Sequence, residues 1–265
     1  MKKLFFILLS GITVLNLTSC LSGSNRTDLS YFAVVSYNVK EGLPSILTVI
    51  GEFAAPDLAA TDLQKGDCIG ALFTVDFDHQ PAGASIYHAT NIRYDLVGQS
   101  FATVQNNFDE KELIFPATDL LPFKTAQAFT YSPILEGKFF FKFVHSASKQ
   151  QEMKYIAIVK PNVEVYGDKP VDLYLIAQKT NKPDAPDADV DCYYAFDLHD
   201  AIQEFGKETT YGSGSSVEYR VQELKAKIKF CTGLDEEGIP EYKLFDYLNA
   251  STGRTDSIVV LSVFI

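Results

Sequence analysis

Short runs of aromatic and β-branched residues, cut by glycine and proline, recur along most of this chain. Tyr31 to Val39 is one such run, broken by Gly42 and Pro44, and Ser45 to Phe53 reads as the strand that resumes it. Pro56 to Lys65 reads as a loop and Gly66-Asp67 as a turn, ahead of a strand over Cys68 to Phe77. Beyond the Pro81-Ala82-Gly83 break come "SIYHATNIRYDLVG" and "SFATVQ". Strand-like runs separated by turn residues every 8–12 positions predict a barrel or a sandwich.

The stretch Asn106 to Ser132 is weaker in pattern and carries Pro116 and Pro122, with Pro133 just after it. Longer runs follow. Gly137 to Ser146 and Met153 to Pro161 flank the polar "ASKQQE" and predict a hairpin. "PVDLYLIAQKT" and "VDCYYAFDL" flank "NKPDAPDAD" and predict a second. Val217, Tyr219 and Val221, then Ala226, Ile228 and Phe230, alternate with the period of two that puts apolar groups on one face. "EYKLFDYLN" and "SIVVLSVFI" complete about seven strands, the number a sandwich uses. One helix interrupts the pattern: Asp197 is an N-cap, Leu198, Ala201, Ile202 and Phe205 have helical spacing, and Gly206 closes it. The expected fold is therefore all-β with one short helix: a barrel or sandwich over 29–124, which the family resemblance described below makes OB-like, followed by a β-sandwich over 125–265.

The first residues follow a different rule. Lys2 and Lys3 precede a mostly apolar run to Leu17, and small Thr18 and Ser19 precede Cys20. A charged start, a short apolar core and small residues at the cut make a secretory signal over 1–19. The run is shorter than the roughly 20 residues of a membrane span. Leu17-Thr18-Ser19-Cys20 resembles the lipobox of bacterial lipoproteins. That resemblance implies cleavage before Cys20 and acylation of its thiol and new amino terminus. Two or more acyl chains hold where one binds only marginally. Residues 20–28 then form a lipidated tether, its Leu21 to Thr27 stretch small and polar. In the same class Leu21, standing where aspartate would signal inner-membrane retention, implies the outer membrane. Asp28 as the lone acid after the cysteine points to the periplasmic leaflet rather than to surface export.

Charge narrows the partners. The chain has 23 basic and 34 acidic residues, a net charge of −11, and loses Lys2 and Lys3 with the signal. Such a balance repels phosphate backbones, so no nucleic-acid partner is expected. Cys68, Cys192 and Cys231 remain once Cys20 is lipidated, an odd number. Cys68 and Cys231 sit in apolar runs, as buried thiols do; a Cys192–Cys231 bridge is the alternative that spacing leaves open.

Candidate chemistry is sparse. His79, His88, His145 and His199 lack metal-ligand spacing. His79 follows Asp78, which could orient an imidazole, but such dipeptides are common in polar loops. Asp187, Asp189 and Asp191 alternate like the start of a calcium loop, yet Cys192 stands where that loop needs glycine and Leu198 where it needs glutamate. "YGSGSS" lacks the spacing of a nucleophile elbow and reads as a linker. Without tryptophan, a glycan platform would rest on Tyr and Phe. No catalytic residue, cofactor or metal is expected, and Cys20 is the one site residue.

The order of lipobox, Gly66-Asp67-Cys68 before a strand, Gly137 to Phe141, and Ala195-Phe196-Asp197-Leu198 resembles the NigD-like lipoproteins of Bacteroidales. The resemblance implies an OB-type barrel, a C-terminal β-sandwich and an envelope location, with no established chemistry. The expected role is a non-enzymatic, outer-membrane-anchored interaction module, held by lipid on Cys20 and binding an envelope protein or a glycan. The rival is a fimbrial or surface-assembly subunit, motivated by the apolar "SIVVLSVFI", which could be donated to a neighbour's sheet edge.

Overall fold

The computed structural model describes residues 25–130, 132–161, 170–183, 187–212, 218–249 and 254–265, with side chains for all of these but 128–130, 247–249 and 254–256. The signal, Cys20, Asp184 and Ser213 to Ser216 lie outside the described residues. The chain divides into two units, Met1–Leu96 and Val97–Ile265.

The first unit is a closed five-stranded barrel in the order β1-β2-β3-β5-β4. Its strands are β1 (Arg26–Asn38), β2 (Leu43–Thr48), β3 (Gly51–Ala54), β4 (Cys68–Asp76) and β5 (Tyr87–Leu96). β1 is long enough to serve two neighbours: Arg26 to Val34 pair with β4, and Val34 to Asn38 pair with β2. One strand shared in this way turns a sheet into a barrel. Ala33, Val35, Ile46, Phe53, Ile69, Phe73 and Val75 fill the interior, with Phe53 tilted on Phe73 at 5.2 Å between ring centroids. Between β3 and β4 runs a 3-10 turn, Pro56–Ala60, that buries Leu58. "SILTVIGEF" is two strands, not one. Thr48 pairs with Gly51, so apolar Val49 and Ile50 form a hairpin tip that hydrophobicity alone reads as continuous strand.

The second unit is the expected sandwich. Its strands are β6 (Gly98–Val104), β7 (Thr125–Thr130), β8 (Lys138–Ala147), β9 (Met153–Lys160), β10 (Val171–Lys179), β11 (Ala188–Asp197), β12 (Lys207–Tyr211), β13 (Tyr219–Leu234), β14 (Pro240–Leu244), β15 (Tyr247–Asn249), β16 (Arg254–Asp256) and β17 (Val259–Phe264). The order is β12-β13-β10-β9-β6-β11-β8-β7, with β14 and β17 also on β13 and with β15 paired to β16 apart. β6 turns the corner: Gly98 to Phe101 pair with β11, and Ala102 to Val104 pair with β9. A strand that changes sheets lets two layers face each other over one core. Phe143 of β8 stacks on Tyr155 of β9 at 5.2 Å, within a cluster that includes Phe141, Leu173, Leu175, Ile228 and Leu261.

Both predicted hairpins are corrected. β8 pairs with β7 and β11, whereas β9 pairs with β6 and β10. β10 pairs with β9 and β13, not with β11. Each connection arches from one layer to the other, so strands consecutive in sequence meet through side chains. The expected boundary at 124/125 also moves, to 96/97. The weakly patterned stretch is a covering layer rather than a linker: Phe108, Leu113, Phe115 and Leu120 pack against Ile158, Tyr174, Ile176 and Cys231.

The helix, α1, spans His199–Phe205. The N-cap is Leu198 rather than the expected Asp197; Asp197 stands one residue before it, its carboxylate accepting the His199 N–H at 3.0 Å. Gly137, at φ +84°, lets this end approach: a Cβ there would lie 2.9 Å from the His199 Cα. β17 pairs with β13 of its own chain, Ala226 opposite Val259 through Val221 opposite Phe264. Val259, Leu261 and Val263 are buried while Phe264 is half exposed, so one face of this strand reaches the core, not both. No disulfide joins Cys68, Cys192 or Cys231. The Cys192 sulfur lies 3.8 Å from that of Met153, and Cys231 donates to the Gly233 carbonyl, so the 192–231 bridge is not formed.

A candidate binding cleft in the barrel

Residues 39–42 join β1 to β2, and residues 77–86 join β4 to β5. The first link is a tight turn. Gly42, at φ +66°, donates to the Asn38 carbonyl at 2.9 Å, and the Asn38 side chain accepts the Glu41 N–H at 3.0 Å. This fixes the Glu41 side chain towards the second link. There Oε1 of Glu41 accepts the Ser85 N–H at 2.6 Å, the Ser85 hydroxyl at 3.0 Å and the Ile86 N–H at 3.2 Å. Oε2 lies 2.7 Å from Nε2 of His88. The Ser85 N–H bond, with the Ser85 hydroxyl, His88 and Ile86 bonds, holds the Glu41 carboxyl down at about 2. Gln80 completes the arrangement, accepting the His88 N–H at 2.6 Å.

Serine, histidine and glutamate meet here in the wrong order for nucleophilic catalysis. The Ser85 hydroxyl donates to the carboxylate, not to the imidazole, so the histidine cannot take its proton. The arrangement ties two links together.

Beside it opens a cleft of about 530 Å³, lined by Ile50, Gly51, Glu52 and Phe53 on one side and Gln80 and Ala84 to Tyr87 on the other. Its origin is a short ladder. β3 and β5 run parallel and pair only at Phe53 with Tyr87 and Ala54 with His88. Beyond Phe53 the walls part. Tyr87 and Ile50 are half exposed at the mouth, and Phe77 packs edge-on against Tyr87 at 4.9 Å.

The residues singled out by sequence fall elsewhere. His79 is exposed and meets Asp76 at 3.1 Å, while Asp78, its expected orienting partner, binds Asn25 instead. Asp189 pairs with Lys124, and Asp191 with Lys142 at 2.7 Å, so two of the alternating carboxylates serve cross-strand ion pairs. Among the described residues no group of three or more His, Cys, Asp or Glu could hold a metal. His145 is fully buried between the Pro122 carbonyl at 2.9 Å and the Tyr155 hydroxyl at 3.0 Å, and burial lowers its pKa to about 4. A second polar cluster joins Lys229 to the Tyr174 hydroxyl at 2.9 Å and to Asp172 at 3.2 Å, while Glu110 bonds that hydroxyl from the covering segment. Glu41 and Ser85 went unremarked in sequence, and His88 was noted only as lacking metal-ligand spacing, because Glu41 lies 44 and 47 positions from the other two and no shared spacing links them. A polar residue next to a turn glycine was the only local sign.

A closed five-stranded barrel bridged across its first and last links, followed by a sandwich, defines an OB-type unit joined to a second β unit. Residues 23–89 match the family model described as a lipoprotein OB domain. A candidate lipoprotein from Bacteroides fragilis has a similar solved structure, at 13% identity over 84% of this chain and 99% of that one, with a TM-score of 0.50. A protein of unknown function from Bacteroides vulgatus (15% identity, 86% and 94% coverage, TM-score 0.45) and a NigD-like immunity protein from Bacteroides caccae (8%, 86% and 96%, 0.45) are also similar. No curated protein matches the chain.

Proposed function

We propose that the protein is a non-enzymatic binding module of the cell envelope, held by lipid on Cys20 at the periplasmic face of the outer membrane. The observation that carries the binding role is the cleft in the OB unit: apolar walls, a half-exposed aromatic mouth, and two links braced by Glu41 so that the opening exists before any ligand arrives. A preformed concave site with few polar groups is the usual form of a ligand site. Bracing also lowers the ordering cost of binding. The lipobox supports the anchor, and the match to a lipoprotein domain supports the envelope setting. The occupant is an envelope protein or a glycan.

A photo-cross-linking residue at position 87, in intact cells, tests the binding role. A discrete adduct is expected with the native cleft, and Ile50→Asp is expected to abolish it. No adduct, or an adduct indifferent to Ile50→Asp, overturns the reading. Cys20→Ser tests the anchor: the variant is expected to leave the membrane fraction, and a variant that still sediments with the outer membrane in high salt refutes lipidation at Cys20.

A further inference from the structure

Resting on the cleft as the binding site, we infer that its occupant is an extended peptide that enters as a strand between the parted edges of β3 and β5.

The argument begins with hydrogen bonds that are not made. After Phe53–Tyr87, the next rung of a parallel ladder would join Gly51 and Glu52 to Ser85 and Ile86, and it is absent. The Ser85 N–H, the group a continued ladder would direct at β3, is held by Oε1 of Glu41, which also accepts the Ile86 N–H. Glu41 is thus the positioning residue that keeps the edges apart. On the facing wall, Thr48 and Gly51 close the β2–β3 hairpin, so alternation of the antiparallel ladder turns the Glu52 backbone outward, towards the cleft. An edge with outward backbone groups beside an open cleft is a template for another strand.

The side chains suit the same occupant. A strand sends alternate residues to opposite faces. Ile50, Phe53 and Ile86 offer apolar contact to one set. Glu52 is the one charged residue in the lining, and residues 25–96 hold nine acids against four bases. The peptide chemistry is therefore alternating apolar and basic residues. A sugar would use the aromatic mouth but not the outward strand backbone, which is why peptide is preferred.

The probe is acetyl-Val-Lys-Val-Lys-Val-Lys-amide, titrated into the full mature chain carrying Cys20→Ser and followed through backbone amide resonances. Shifts are expected to be confined to 50–53 and 84–87, with exchange of the Glu52 N–H slowed by at least about tenfold at saturation. A probe with alternate amides methylated is expected to bind at least about tenfold more weakly, since it cannot donate to the edge. Glu52→Gln is expected to weaken binding and flatten its salt dependence. Glu41→Gln is expected to weaken binding while adding a Ser85 to Ile50 hydrogen bond, a readout that simple loosening of the fold would not give. Equal binding of the methylated probe overturns strand pairing. Absence of any shift, with the position-87 adduct still formed in cells, overturns the peptide assignment and leaves the binding module standing. Absence of both removes the two readings together.

Discussion

Nε2 of His88 lies 2.7 Å from Oε2 of Glu41, across 47 residues of sequence, and the same carboxylate caps two backbone N–H groups on the strand's approach. One side chain therefore sets the geometry of a whole rim. Its titration is a direct test. The Glu41 carboxyl lies at about 2 in the fold against 4.5 for the ordinary group. A depressed acid contributes its stability above 4.5 and loses it as pH falls through the folded value. The Ser85 and Ile86 amide resonances are expected to stay fixed from pH 5 to about 3 and to move only on approach to pH 2. A midpoint near 4.5 would show that the brace is not formed.

His145 titrates in the opposite sense to a salt-bridged histidine. Its pKa falls from 6.5 to about 4 because burial disfavours the charged ring. The neutral ring is the form the fold holds, so stability is full above pH 6.5 and declines as pH drops from 6.5 to 4. The total is about 3 kcal/mol by linkage. Urea unfolding at pH 7.5 and 4.5 is expected to show this loss in the native chain, and His145→Gln is expected to flatten it.

The terminal strand separates buried from exposed positions one residue at a time. Leu261 is 1% exposed and Phe264 is 50% exposed. Leu261→Ala is expected to cost about 2–4 kcal/mol and Phe264→Ala less than about 1 kcal/mol, read from urea midpoints at unchanged slope. Deleting Ile258 to Ile265 removes the pairing partner of Val221 to Ala226 and is expected to yield aggregated or unfolded protein by sizing and circular dichroism. A truncation that stays folded but no longer assembles would favour the surface-subunit reading.

Calcium is expected to leave the melting temperature unchanged. Asp189 and Asp191 are engaged by Lys124 and Lys142, and exposed pairs of this kind are worth about 0–1 kcal/mol. A rise of several degrees with calcium, lost in Asp187→Ala with Asp189→Ala, would contradict this.

Strand identity was largely legible because alternation reports which face of a strand is buried. Tyr31 to Val39, Cys68 to Phe77 and Tyr219 to Gly233 all mark real strands, and the helix over His199–Phe205 stands where the spacing of Ala201, Ile202 and Phe205 puts it, one residue beyond the expected cap. Alternation does not report which neighbour a strand pairs with. Phe143 and Tyr155 look like the two arms of a hairpin, yet they touch across the core from different layers. The boundary was misplaced for a related reason. Phe108 and Phe115 lie in a proline-bearing stretch without periodicity, and only the tertiary fold shows them covering Tyr174. The cleft was illegible because it arises from bonds withheld between Ser85 and the β3 edge, and no residue pattern encodes a missing rung.

The corner strand β6 has a kinetic consequence. It is the first strand of the second unit, yet both of its partners come much later, β9 from Met153 and β11 from Ala188. The arches after β8 and β10 add to this, since neither leaves a local hairpin to zip. Contacts between distant segments slow the search for the native state. The barrel, whose strands all lie within 71 positions from Arg26 to Leu96, is expected to fold first and independently. While the chain folds, the sandwich half is then the part that lingers unpaired and exposes its phenylalanine-rich strands. Chaperones would act chiefly on that half.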